Sequence, residues 1–240
     1  MTITPAKIFI DYRDAKKLLK KLEISFIEEK EKAKSLRKTD FTKEFIKQSY
    51  KDDYRNAYRI ARENLDYNFL IEEDGSIFQF GYELDENEKI CDLRYAYYEA
   101  PSFQISYEEY LHDLDLNIEE CGNMFFEDYS QALSEATLKN NVTSIRYDFS
   151  IDQRKELIHP VSHIHIGQQN EVRLPVSFVM TPKNFVAFIV RHIFWNKWRI
   201  GMADPSFKEE YLSSYSTGPS LDDLLFSRDE KRDLYFKYDN

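Results

Sequence analysis

"YNFLIEEDGSIFQFGYEL", residues 67–84, is where the periodicity of this chain changes. Upstream, apolar residues recur every three or four positions; here they begin to alternate. Asp74-Gly75 stands between two runs rich in aromatic and β-branched residues. That is the composition of a hairpin, because Gly accepts the positive φ that a tight connection demands. In the second run Phe78, Phe80 and Tyr82 alternate with Gln79, Gly81 and Glu83, so one face of the strand is apolar. A lone hairpin is marginal in water and needs more strands or a covering layer.

Both flanks supply them. "CDLRYAYYEAP" (91–101) reads as a third strand ended by Pro101, and "TSIRYDFSID" (143–152), "SHIHIG" (162–167) and "VRLPVSFVM" (172–180) as further strands or extended segments. Short helices are expected over 106–116, with Ser106 as cap and Glu109 closing a capping box, and over 124–139. "TPKNFVAFIVRHIFWNKW" (181–198) is the clearest helix, with Thr181 as cap and Pro182 at its first position. It is apolar nearly all round and therefore belongs in the core. Upstream, Leu18, Leu19, Leu22, Phe26 and Ile27 predict a helix over 11–38, and a second is expected from Asp40 or Thr42 to about Asn64. The fold class is α+β: an antiparallel sheet with helices packed on one face and an N-terminal helical pair. The expected organisation is a helical arm (1–64), an α+β core domain (65–204) and a C-terminal tail with short helices (205–240).

The 240 residues are 42% hydrophobic and 32% charged, with 17 Tyr and 18 Phe, enough for a sizeable core. No apolar run approaches the ~20 residues of a membrane span. The N-terminal sequence lacks signal-peptide order, so a cytoplasmic protein is expected. Cys91 and Cys121 fit no CxxC pattern and are expected as buried thiols. Net charge is −10, yet residues 1–51 hold 14 Lys/Arg against 8 Asp/Glu, and the other 189 hold 19 against 35. A basic arm on an acidic body suits either a docking surface or amphipathic helices whose charges pair locally.

"HPVSHIHIG" (159–167) gathers three of the five histidines. Strand alternation puts His163 and His165 on one face, with Ile164 and Ile166 on the other. "SIRYDFS" (144–150) behaves likewise, leaving Arg146 and Asp148 together opposite Ile145, Tyr147 and Phe149. If the two strands pair with apolar faces aligned, Arg146, Asp148, His163 and His165 form one patch. His159 at the His-Pro corner and Arg94 of "LRYAYYE" are further candidates.

Histidines exchange protons near neutral pH, an Asp orients them, and an Arg clamps a phosphate. Two histidines plus Arg without a metal suit cleavage or transfer at a phosphodiester, whereas His-x-His with a further carboxylate suits a divalent metal. The known His-x-His frames do not fit; Leu157, for example, stands where a cupin-type pattern needs Gly. No metal and no cofactor is therefore expected. The bland alternative is a set of strand histidines satisfied by Asp148, Ser162 or backbone carbonyls.

The blocks "DYNFLIEEDGSIFQF", "IRYDFS", "HPVSHIHIG" and "RLPVSFVMTPKNFVAFIVRHIF" resemble, in this order over about residues 50–200, a bacterial family without an established activity. The Arg-Tyr-Asp strand followed by a His-rich strand is similar, more loosely, to toxin components of prokaryotic toxin–antitoxin pairs. That second resemblance implies a toxin or phage-defence effector. Two functions stay open. One is a metal-independent, ribonuclease-like phosphodiesterase acting on RNA, with His163 and His165 as general acid and base, Asp148 as orienter and Arg146 as phosphate clamp. The other is a non-catalytic partner or regulatory subunit of a defence or toxin–antitoxin complex, associating with a protein partner or with itself through the N-terminal helices. Neither involves a membrane.

Overall fold

Thr4-Pro5 opens the first helix of the computed structural model, which describes residues 3–51, 53–102, 105, 107–139, 141–168, 172–215 and 217–235. Helix α1 (Pro5–Lys21) begins with Pro at its first position and the Thr4 hydroxyl accepting the Lys7 N–H at 3.3 Å. It stops well short of the expected residue 38. Glu23 turns the chain at φ 54°, and "FIE" becomes strand β1 (Phe26–Glu28). The lysine-rich continuation survives only as α2 (Lys30–Ser35), followed by a 3-10 turn (Lys38–Asp40). The second expected helix is also divided, into α3 (Lys43–Ser49) and α4 (Tyr54–Glu63). Thr42 caps α3, and Asp53 caps α4 by accepting the Asn56 N–H at 3.0 Å, which is why the helix restarts there.

The hairpin forms where Asp74-Gly75 predicts it, between β2 (Phe69–Ile71) and β3 (Ile77–Leu84). Gly75 adopts φ 71°, and Asp74 accepts the Ser76 N–H at 2.9 Å. β4 (Ile90–Tyr98) follows, then α5 (Tyr107–Asp113), α6 (Ile118–Cys121) and α7 (Phe126–Ser134). The expected Ser106 cap lies outside the described residues. β5 (Ser144–Ser150), β6 (Ser162–Ile166) and the two-residue β7 (Leu174–Pro175) complete the sheet. Of "VRLPVSFVM", only Leu174–Pro175 joins it as a strand. The long helix over 181–198 is divided at Ile193–Phe194 into α8 (Pro182–His192) and α9 (Trp195–Gly201), and α10 (Pro205–Ser214) and α11 (Arg228–Tyr235) end the chain. The class is α+β as expected, with a seven-stranded sheet in sequential order β1 to β7 and every neighbour antiparallel.

Helices cover both faces of the sheet. Phe78, Phe80, Tyr95 and Tyr147 point into a core with α1 and α8, where Leu18, Leu19 and Phe185 are fully buried. Ile77, Ala96 and Tyr98, one residue out of phase, pack instead against Phe45 of α3 and Tyr58 and Ala61 of α4. The α3–α4 pair covers only part of that second face, and the histidine strand lies beside it. α1 and, from the expected tail, Phe207 and Tyr211 of α10 share the main core with the sheet. Side chains of α1 and α10 thus contribute to the core.

Several of the basic N-terminal residues form ion pairs within the fold. Lys16 pairs with Glu28, Lys32 with Asp66, Lys38 with Asp92, and Lys21 with Glu210. Cys91 and Cys121 are free thiols and only half-buried, not buried as expected. No helix among the described residues is long and apolar enough to cross a membrane.

Because α1 supplies fully buried side chains, Leu19→Ala should destabilise the protein by about 2–5 kcal/mol. Denaturant melts of the variant measure this directly. A loss within about 0.5 kcal/mol, the range of a surface change, would mean that α1 is a detachable arm.

Candidate functional site

The polar face is assembled by register. β4, β5 and β6 pair so that Arg94, Asp148 and His163 stand in one row across the sheet, and Ala96, Arg146 and His165 in the next. A one-residue slip would send every one of these side chains into the apolar core. Tyr147 secures the register from the other face. Its hydroxyl is 3.0 Å from Ser162 Oγ and accepts the Met180 N–H at 2.9 Å, while Ser162 donates to the Phe178 carbonyl at 2.8 Å. These bonds tie β5, β6 and the approach to α8 together.

His159 arrives differently. A tight turn, closed by the Lys155 N–H to the His159 carbonyl at 3.0 Å, sets it just before Pro160. Its ring meets that of His163 edge-on at 4.7 Å, and His163 meets His165 in the same way at 4.7 Å. The three histidines form a row running from an open surface hollow, shared with Gln153, Lys155 and Arg173, toward Asp148.

The donor atoms converge. His163 Nδ1 lies 2.7 Å from the Pro160 carbonyl, which only accepts, so Nδ1 carries the proton and Nε2 presents a lone pair. That Nε2 is 2.9 Å from His165 Nε2, which in turn is 3.3 Å from Asp148 Oδ2. Arg146 Nε donates to the same carboxylate oxygen at 2.7 Å. His163 is 1% exposed and His165 6%, whereas Asp148 and Arg146 reach partly into solvent.

Electrostatics follow from this packing. Burial pushes the Asp148 carboxyl up, but its hydrogen bond to His165 and the Arg146 and Arg94 guanidiniums outweigh that and hold it well below the usual carboxylate range. Burial pushes His163 down to about 4, against the opposing pull of Asp148, so its ring is neutral at pH 7. Burial also lowers His159, with Arg173 and His165 adding to the effect.

All five residues singled out from the sequence meet here, with Arg94 as a sixth. His163 has no exposed edge for a substrate proton. One ligand atom from each of Asp148, His163 and His165 lies within 4.8 Å of the other two, a set that could hold a metal ion. Asp148 is the most exposed of the three. The expectation of no metal rested on frames along the chain, whereas the third donor comes from the neighbouring strand. Sequence reading missed Tyr50, whose hydroxyl accepts from Arg94 Nη1 at 3.3 Å and whose ring lies under the guanidinium. No local signal around Tyr50 points to it.

The Pro160 contact predicts the tautomer. In 15N spectra of the metal-stripped protein at pH 7, His163 should show a protonated Nδ1 and an unprotonated Nε2. The opposite pattern would remove the lone pair on which any metal or hydrogen-bond role of Nε2 depends.

No curated protein and no solved structure matches the chain, and the looser likeness to toxin components finds no support there. The family match starts within α1 and runs past α11, wider than the blocks read from the sequence. Its model, described as "Uncharacterized conserved protein (DUF2290)", matches residues 17–237, and the chain belongs to that family.

Proposed function

We propose that the polar face is the centre of a divalent-metal-dependent hydrolase of phosphodiesters, with RNA as the expected polymer. One observation carries this reading: two histidine Nε2 atoms 2.9 Å apart with a carboxylate oxygen 3.3 Å from one of them, while the far nitrogen of His163 is occupied by a carbonyl. A carbonyl on the distal nitrogen is the usual device for aiming a ligating histidine. Two imidazoles and a carboxylate suit first-row divalent ions and leave coordination positions open. Asp148, partly exposed, marks the open side.

An ion held there would polarise a phosphoryl oxygen and activate water. Arg146 and Arg94 orient the phosphate. His159, beside His163 and lining the surface hollow, is the candidate proton donor to the leaving oxygen. A net charge of −10 works against binding a phosphate chain, and a metal would offset it locally. Arg94, Arg146 and Asp148 sum to a single positive charge, and a divalent ion raises this enough to attract a phosphate locally. The setting of this activity as a toxin or phage-defence effector is supported by the looser sequence resemblance alone. Association through the N-terminal helices has less support, because α1 is buried in the core and its neighbouring lysines are paired.

Titration of chelator-stripped protein with Zn2+ and with Mn2+ should reveal one site per chain. His165→Ala and Asp148→Asn should lose more affinity than the 10- to 100-fold or so of an outer-shell change. His159→Ala should keep the ion and lower RNA cleavage by about 100- to 10,000-fold. Cleavage that survives both chelation and His165→Ala would overturn the reading.

A further inference from the structure

Arg94 faces two ways. Across β4 and β5 it stands opposite Asp148; on its other side it walls a cavity of about 180 Å³, floored by β3 and β4 and roofed by the 3-10 turn and α3. Phe41, Phe45 and Tyr50 give this cavity flat aromatic surface, and Gln79, Glu83 and Arg94 give it polar groups. Clefts for drug-sized ligands run roughly 300–1,000 Å³, so this space suits one ring system. Gln79 donates its amide N–H to the Asp66 carbonyl, which leaves its amide oxygen as an acceptor. Glu83 is a second acceptor, half-exposed and 3.4 Å from Lys38. A ring carrying its own N–H donors matches these two oxygens, and an attached anion would fall beside Arg94.

We infer that this cavity takes the base of a nucleotide, preferring one with an exocyclic amino group, with its phosphate against Arg94 beside the Asp148 cluster. The inference rests on the phosphodiester reading above and names the substrate unit that site would act on. A pocket for one base, with the phosphate at its rim, calls for a mononucleotide or an unpaired residue of a single strand. Bases in a duplex are stacked and cannot enter it without being extruded. The exposed Tyr50 ring, already lying against the Arg94 guanidinium, is the natural stacking partner.

Calorimetric titration of the full chain with adenosine 5′-monophosphate, uridine 5′-monophosphate and inorganic phosphate tests this. Adenosine monophosphate should bind at one site, at least about fivefold more tightly than the uridine nucleotide, which lacks the amino donor, and more tightly still than phosphate. Tyr50→Ala should weaken it on the order of tenfold, and Thr39→Trp, at an exposed position on the cavity lining, should block it. Both variants should keep the wild-type melting temperature and metal stoichiometry. Added affinity for a dinucleotide would identify a strand, and its absence a free nucleotide. Adenosine monophosphate binding no tighter than phosphate, or indifferent to both substitutions, would overturn the inference even where the ion still binds. Base-selective, Tyr50-dependent binding without any ion site would instead retain the pocket and remove the hydrolase.

Discussion

Pairing of β5 with β6, Asp148 opposite His163 and Arg146 opposite His165, is the constraint on which the rest of the molecule depends. It sends Tyr147, Phe149 and Ile164 into the core beneath α1 and α8 and leaves the ionisable side chains together on the other face. Burying histidines and a carboxylate in this way costs free energy unless each is partnered. The Pro160 carbonyl, the Arg146 guanidinium and the contacts among the donors offset that cost. The Tyr147–Ser162–Met180 hydrogen bonds hold the register from behind. Chemistry on one face and cohesion on the other are thus two consequences of one alternation.

The same sheet face explains why the site and the cavity adjoin. α3 and α4 pack on Ile77, Ala96 and Tyr98, and the cavity beside them runs along Gln79, Glu83 and Arg94, next to Asp148. Gln168 Nε2, donating to the carbonyls of Ser49 and Lys51 at 3.2 Å, anchors the end of α3 to the chain leaving β6. The roof of the cavity is thereby fixed to the histidine strand, and Tyr50 is held over Arg94.

Much of this was legible before the fold. Alternation in "SIRYDFS" and "SHIHIG" is strict enough that pairing and face follow from it, and Asp74-Gly75 marks its hairpin without help from tertiary context. The N-terminal helices were not legible, because "FIE" is too short to interrupt a charged helical pattern by itself. Only pairing of Phe26 with Ile71, 45 positions away, makes it a strand. The cavity was hidden for a similar reason: Phe41, Tyr50, Gln79 and Arg94 come from separate segments and share no spacing. The metal-capable set lay between the two cases. Both histidines and the carboxylate were visible, but their convergence within 4.8 Å depends on cross-strand distances that no linear motif encodes.

The central claim is that Asp148, His163 and His165 form one metal centre. X-ray absorption at the zinc edge of protein loaded with one equivalent of Zn2+ tests it most directly. The account predicts two imidazole nitrogens at about 2.0–2.1 Å plus oxygen donors at about 2.0–2.2 Å, with the imidazole signal reduced in His163→Ala. A spectrum of oxygen-only coordination, or one unchanged by that substitution, would contradict it.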